Sequence, residues 1–149
     1  MTEGPGVACR AMRDEDAARV AVLAGELGYP STAKQILERK AVLDREGRHG
    51  LFVAESGSGD VLGWIIVSQM GSLELDPNAE VKGLVVAEEA RGRGIGGALM
   101  RVAEEWARAR GLREVVLRSN VIRERTHAFY RGIGYEEQKR QVKFRKSLG

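Results

Sequence analysis

The sequence predicts an α/β domain with a mixed central sheet, and three observations carry that prediction. Segments whose apolar residues recur at helical spacing alternate with short runs rich in Val, Ile and Leu. SGSGD (56–60) separates two of those runs with the glycine and polar content of a hairpin link. Further along, apolar runs and helical segments take turns, giving the order β-α-α-β-β-β-α-β-α-β-β. At 149 residues the chain is long enough to bury a core and reads as one domain, 1–149.

Each element has its own signal. Residues 7–12 (VACRAM) read as a first strand. Asp14 is placed to cap a helix with Glu15 and Asp16 in its first turn, and Val20, Leu23, Ala24 and Leu27 line one face before Gly28 ends it. Tyr29-Pro30 breaks the chain, and Ser31 is placed to cap a second helix carrying Ile36, Leu37 and Leu43. Strands follow at 51–55, 61–67 and 79–86. A helix opens in the glycine-rich stretch near 92–97, with Ile95, Leu99, Val102 and Trp106 as its apolar stripe and Gly111 as its stop. The reading then gives a strand at 114–119, a helix at 123–131 and a last strand pair from Tyr135 to QVKFRKSL. In that pair Val142 and Phe144 alternate with Gln141, Lys143 and Arg145, the pattern of an edge strand protected by charge.

Composition narrows the classes. Hydrophobic content of 43% and charged content of 30% are those of a globular protein, and no window approaches 18 uninterrupted apolar residues, so no membrane span is expected. MTEGPGVACRAM lacks the basic-then-apolar pattern of a signal peptide. A single cysteine, Cys9, excludes an internal disulfide and agrees with a reducing cytoplasm. The net charge of +3 conceals an asymmetry: residues 1–89 hold 9 Lys+Arg against 15 Asp+Glu, and residues 90–149 hold 15 against 6. An acidic first part and a basic second part suit a cation on one side and an anion on the other, unless both are simply solvated surface. His49 and His127 have no Cys, Asp or His partner at ligand spacing, so no metal is expected. A basic nucleic-acid surface would interleave aromatics, and only 5% of residues are aromatic.

Residues 88–100, EEARGRGIGGALM, hold four glycines and two arginines where a helix begins. Glycine weakens a helix, but its missing Cβ lets several N–H groups approach one anion at the helix N-terminus. Gly92, Gly94 and Gly97 spell the dinucleotide fingerprint G-x-G-x-x-G, yet its context fails. AEEA (87–90) separates the strand from the first glycine, and Glu114 opens the following strand instead of closing it. The Gly-Lys-Ser/Thr of a P-loop is absent.

RGRGIG resembles the R/Q-x-x-G-x-G/A segment of the GNAT N-acetyltransferase superfamily, with Arg91, Gly94 and Gly96 in the defining places. AEVKGLVV (79–86) is similar to the strand before that segment. Phe129, Tyr130, Gly134 and Tyr135 match its last helix and following strand, F-Y-x-x-x-G-F/Y. The leading helix pair and GWIIV fit the same order, so the resemblance covers almost the whole chain. It implies a GNAT-like domain whose sheet splays between two parallel strands, here 79–86 and 114–119.

The resemblance also implies a cosubstrate, acetyl-CoA, and a site. Arg91, Gly92, Arg93, Gly94, Ile95, Gly96 and Gly97 would cradle its pyrophosphate, and Leu84, Val85 and Val86 would meet its pantetheine arm. The Leu84 and Val86 amides would face the arm, with Leu84 nearest the thioester oxygen. Tyr130 holds the place of the family's general acid. Glu80 matches the strand glutamate of the histone-acetylating branch, a general base acting directly or through water; many members instead let ordered water take the proton. Strict alternation puts Glu80, Lys82, Leu84 and Val86 on one face, unless the bulge usual in the family intervenes. Many members carry Asn seven residues before the tyrosine, where this chain has Arg123. Asn120 would replace it on the arm from a lengthened loop, or else cap the helix.

RSNVIRERTHAFYRGIGY resembles a subset including some aminoglycoside 6'-N-acetyltransferases. The family builds its acceptor site from the first helices and last strands, which brings Glu26 and Tyr29 toward a small-molecule or peptide amine. The implied activity is acetyl transfer to a primary amine by direct attack on the thioester, in a cytoplasmic enzyme. The alternative is a sensor module that binds acyl-CoA without turning it over. Homodimers are common in the family. Neither nucleic acid nor membrane is an expected partner.

Overall fold

The computed structural model describes residues 3–4, 6–119 and 123–149, and its backbone falls into two compact units, Met1–Leu117 and Arg118–Gly149. The first contains β1 (Glu3–Gly4), β2 (Val7–Ala11), α1 (Ala17–Glu26), α2 (Ala33–Glu46), β3 (His49–Ser56), β4 (Val61–Met70), β5 (Asn78–Val86), α3 (Ile95–Ala109) and β6 (Val115–Leu117). The six strands lie side by side in chain order. Pairing is antiparallel from β1 through β5 and parallel between β5 and β6, so the sheet is mixed, as its sequence predicts.

Both faces of the sheet are covered. Val53 and Ala54 are neighbours that point to opposite faces, and both are fully buried. Gly63, which shares a face with Ala54, would bring a Cβ within 3.2 Å of Leu99 and 3.5 Å of Ile95, so α3 lies on that face. Ile95, Leu99 and Met100 are its fully buried anchors, each worth about 1.5–3 kcal/mol of burial. Val20, Leu23 and Ala24 of α1 are buried as well, and α1 packs on α2, β4 and β5. The edge near β2 is pinned by Arg10, whose guanidinium forks onto Asp16 at 2.8 and 2.9 Å and reaches Glu55 at 2.8 Å. Those hydrogen bonds from Arg10 hold the Asp16 carboxyl below the usual carboxylate range.

Two expected caps are corrected. Asp14 opens a 3-10 turn, Asp14–Asp16, and α1 begins only at Ala17. Thr32, not Ser31, caps α2, because Thr32 Oγ1 accepts from Gln35 N while Gln35 Oε1 accepts from Thr32 N. Ser31 donates instead to the Tyr29 carbonyl.

The second unit contains α4 (Glu124–Gly132), followed by 133–149 without helix or strand. The final strand pair predicted from Tyr135 onward is therefore not formed among the described residues. Val142 and Phe144 stand 77% and 90% exposed, and the nearby charges bond locally, Arg131 and Arg140 both to Glu137. Alternation alone does not make a strand; a ladder needs a partner to take its backbone groups.

Candidate functional site

The site begins with a break in strand pairing. β5 pairs with β4 along its whole length, from Met70↔Asn78 to Gly63↔Val86. On its other side it pairs with β6 only at Ala79, Glu80 and Val81, and then runs on to Val86. Among the described residues, the stretch from Lys82 to Val86 has a strand on one side only.

A bulge decides which amides face that open side. The Ala79 N–H donates to the Glu114 carbonyl at 3.0 Å, toward β6, whereas the Ala87 N–H donates to the Leu62 carbonyl at 2.7 Å, toward β4. Regular alternation would send both the same way. The register jumps from Val67↔Val81 to Ile66↔Gly83, leaving Lys82 as the extra residue that reverses the order. From there Gly83 and Val85 point their N–H groups at β4, and Leu84 and Val86 point theirs at the open edge. Val85, with its N–H directed at β4, offers that edge no donor, and it is buried.

The same bulge separates side chains. Glu80 lies opposite Ser68, while Leu84 and Val86 lie opposite Ile65 and Gly63, which belong to the other face. Glu80, Leu84 and Val86 therefore do not share the single face that strict alternation gives. Glu80 is buried, and its Oε2 stands 3.4 Å from the Lys82 ammonium. Beside it, Ser68 Oγ lies 2.6 Å from His49 Nδ1, and His49 Nε2 contacts the Glu46 carboxylate. The His49 contact holds the Glu46 carboxyl below its usual range.

β5 leads through Ala87 and a 3-10 turn, Glu88–Ala90, into the glycine run. Gly92 and Gly94 have φ of +81° and +79°, a region that side chains with a Cβ rarely enter. Gly94 is the N-cap residue of α3, and no side chain caps that helix. The first intrahelical bond runs from Ala98 N to Gly94 O, so the N–H groups of Ile95, Gly96 and Gly97 precede it. Arg91 and Arg93 are exposed beside them, and Arg93 Nη2 reaches the Glu89 carbonyl at 3.5 Å. Ile95 anchors the first turn with its side chain 1% exposed. The outcome is a cluster of outward donors with two cations at the positive end of a fifteen-residue helix dipole, a fit for a polyanion.

Of the expected acceptor residues, Tyr29 is 70% exposed in the link between α1 and α2. Glu26, the last residue of α1, is engaged: its Oε1 accepts from Glu88 N at 3.1 Å. Arg19, which the sequence reading passed over, donates to the Val61 carbonyl and pairs with Glu89 at 3.1 Å. Its seven-residue spacing from Glu26, two turns along one helix face, is the signal that was there to be used.

In the second unit, Tyr130 lies on α4 against the rings of Phe129 and Tyr135, with centroids 5.1 and 6.0 Å apart. Burial pushes its phenol above the ordinary value, opposed by the charge of Arg123. Asn120 falls outside the described residues. Among the described residues, no group of three or more His, Cys, Asp or Glu is placed to hold a metal ion, and no helix is long and apolar enough to cross a membrane.

Comparison with known proteins adds independent findings. The profile of the acetyltransferase (GNAT) family matches residues 14–135. Aminoglycoside N(6')-acetyltransferase type 1 of Stenotrophomonas maltophilia is 32% identical over 113 residues, 73% of this chain and 72% of that protein. The protein of the same name from Serratia marcescens is 30% identical over 76 residues, about half of each chain (51% and 52%). Among solved structures, aminoglycoside 6'-N-acetyltransferase AAC(6')-Ih from Acinetobacter baumannii superposes with a TM-score of 0.81 at 19% identity, covering 97% of this chain and 100% of that one. AAC(6')-Iy, solved with the bisubstrate analogue CoA-S-monomethyl-acetylneamine, gives 0.84 at 19% identity and the same coverage. At that identity the superpositions speak for the fold.

Proposed function

This chain belongs to the acetyltransferase (GNAT) family of acyltransferases, and we propose that it moves an acetyl group from acetyl-CoA to a primary amine of a small molecule. The observation that carries the reading is the continuity of β5: an edge that, among the described residues, has strand pairing on one side only leads through the Glu88–Ala90 turn into an uncapped, glycine-rich helix start. Acetyl-CoA supplies an activated thioester carbonyl when bound. The N–H groups from Gly92 to Gly97 hold its pyrophosphate, while the Arg91 N–H is engaged by the Glu88 carbonyl, and the Arg91 and Arg93 side chains add charge. Leu84 and Val86 offer strand-like hydrogen bonds to the arm. The Leu84 N–H faces the thioester oxygen as negative charge develops there, a donor of the kind worth about 2.7–4 kcal/mol in the transition state. Tyr130 protonates the departing thiolate; its raised phenol stays protonated throughout the neutral range. Glu80, directly or through water, takes the proton of the attacking amine. The small-molecule class of acceptor rests on the named activity of the Stenotrophomonas and Serratia relatives.

Calorimetric titration with acetyl-CoA, with NADH as control, tests the donor site. Saturable binding of acetyl-CoA alone, weakened by Arg91→Glu, is the expected result; no binding by folded protein removes the proposal. Tyr130→Phe should leave acetyl-CoA affinity unchanged and lower turnover about 100-fold. In the wild type, a raised phenol pKa means that turnover falls only as pH rises past the ordinary phenol value near 10.

A further inference from the structure

The turn Glu88–Ala90 stands between the open edge of β5 and the glycine run, so its orientation sets the direction of every donor that follows. A turn of this kind leaves its first N–H groups without a partner inside it. The residue in the capping position is Ala87, and no side-chain cap is made there. The Glu88 N–H is instead taken by Glu26 Oε1, from a residue 62 positions away. Two turns earlier on the same face of α1, Arg19 holds the Glu89 carboxylate at 3.1 Å and the Val61 carbonyl at 3.0 Å. Glu88 and Glu89 are thus both tied to one helix, and Ala90, which follows, is fully buried.

We infer that Glu26 is a positioning residue for the phosphate loop, acting as a cap supplied by α1, with Arg19 as the second tie. The inference rests on the reading of Arg91–Gly97 as the pyrophosphate cradle. Its consequence is a link between the two substrates. α1 ends at Glu26 and passes straight into Leu27, Gly28 and Tyr29, the segment expected beside the amine. A ligand that shifts the end of α1 therefore changes acetyl-CoA affinity, and acetyl-CoA changes that ligand's affinity by the same factor.

The cap and simple electrostatics predict opposite results. Removing an acidic residue near a polyanion site would tighten acetyl-CoA binding if charge alone mattered. Removing a hydrogen-bond acceptor that orients the site loosens it. Calorimetry with acetyl-CoA should therefore show affinity about 3- to 10-fold weaker for Glu26→Ala, the range of one lost hydrogen bond. Glu26→Gln keeps a carbonyl oxygen for the Glu88 N–H and should bind within about twofold of wild type. Arg19→Met, which spares the cap, should weaken binding about twofold. Thermal unfolding curves confirm that each variant is folded at the titration temperature. Wild-type binding unchanged or strengthened in Glu26→Ala would overturn the inference alone, as would Glu26→Gln as weak as Glu26→Ala. No binding by the wild type would remove the cradle reading, and this inference with it.

Discussion

The two ends of β5 differ by one residue's worth of register. From Ala79 to Val81 the strand lies between β4 and β6, and its backbone groups are used by the sheet. From Gly83 to Val86 it is paired, among the described residues, with β4 alone. Were Lys82 paired in a regular ladder instead of bulged out, the amides of Gly83 and Val85 would face outward, and those of Leu84 and Val86 would be spent on β4. One bulge therefore separates backbone used on both sides by the sheet from backbone paired on one side within a single strand, and it selects which two amides face the open edge.

Proline substitution breaks this comparison with the largest effect. Leu84→Pro removes an N–H that no strand among the described residues uses, so the fold should survive while turnover falls about 100- to 1,000-fold. Val85→Pro removes an N–H directed at β4 and should cost about 3 kcal/mol or more of stability. Urea unfolding and acetyl-CoA turnover on both variants check the contrast. Equal stability losses would mean that the two amides are not differently employed.

A smaller effect comes from side-chain packing beside the bulge. A Cβ on Gly83 would sit 3.0 Å from Trp64 Cζ3, 3.1 Å from its Cη2 and 3.4 Å from Ile66 Cγ2. Gly83→Val should overpack this spot and destabilise the protein by about 1–3 kcal/mol. Urea titration followed by far-UV circular dichroism measures it. Because Gly83 faces β4, the loss should appear chiefly in stability and less in acetyl-CoA affinity.

The sequence made part of this legible. α3 was readable because its stripe of Ile95, Leu99, Val102 and Trp106 repeats at helical spacing, and the glycine run because positive φ at Gly92 and Gly94 favours that residue type. The location of the bulge was not. An inserted residue in VKGLVV looks like any other member of the alternation, and it shows only when backbone bonds on both sides are known. The cap from Glu26 to Glu88 was equally hidden, since a bond between residues 62 apart leaves no local pattern. At the C-terminus the opposite happened. Val142 and Phe144 carried a strand pattern, but among the described residues of their unit there is no strand to pair with them, so local alternation did not become a strand.

The smallest expected effect separates the backbone of Lys82 from its side chain. The Lys82 ammonium stands 3.4 Å from Glu80 Oε2 and is 43% exposed, so this ion pair contributes about 1 kcal/mol or less. If the side chain is incidental to the site, Lys82→Met keeps the extra residue and should leave turnover within about twofold of wild type. Deleting residue 82 removes the bulge but keeps the pairing on either side of it, Val67↔Val81 and Ile66↔Gly83, so the Leu84 and Val86 amides stay at the open edge. Turnover of the deletion variant should therefore stay within about tenfold of wild type, well above that of Leu84→Pro. If the deletion were as inactive as Leu84→Pro while Lys82→Met kept its turnover, the local bend made by the bulge, and not the direction of the amides, would be what position 82 contributes.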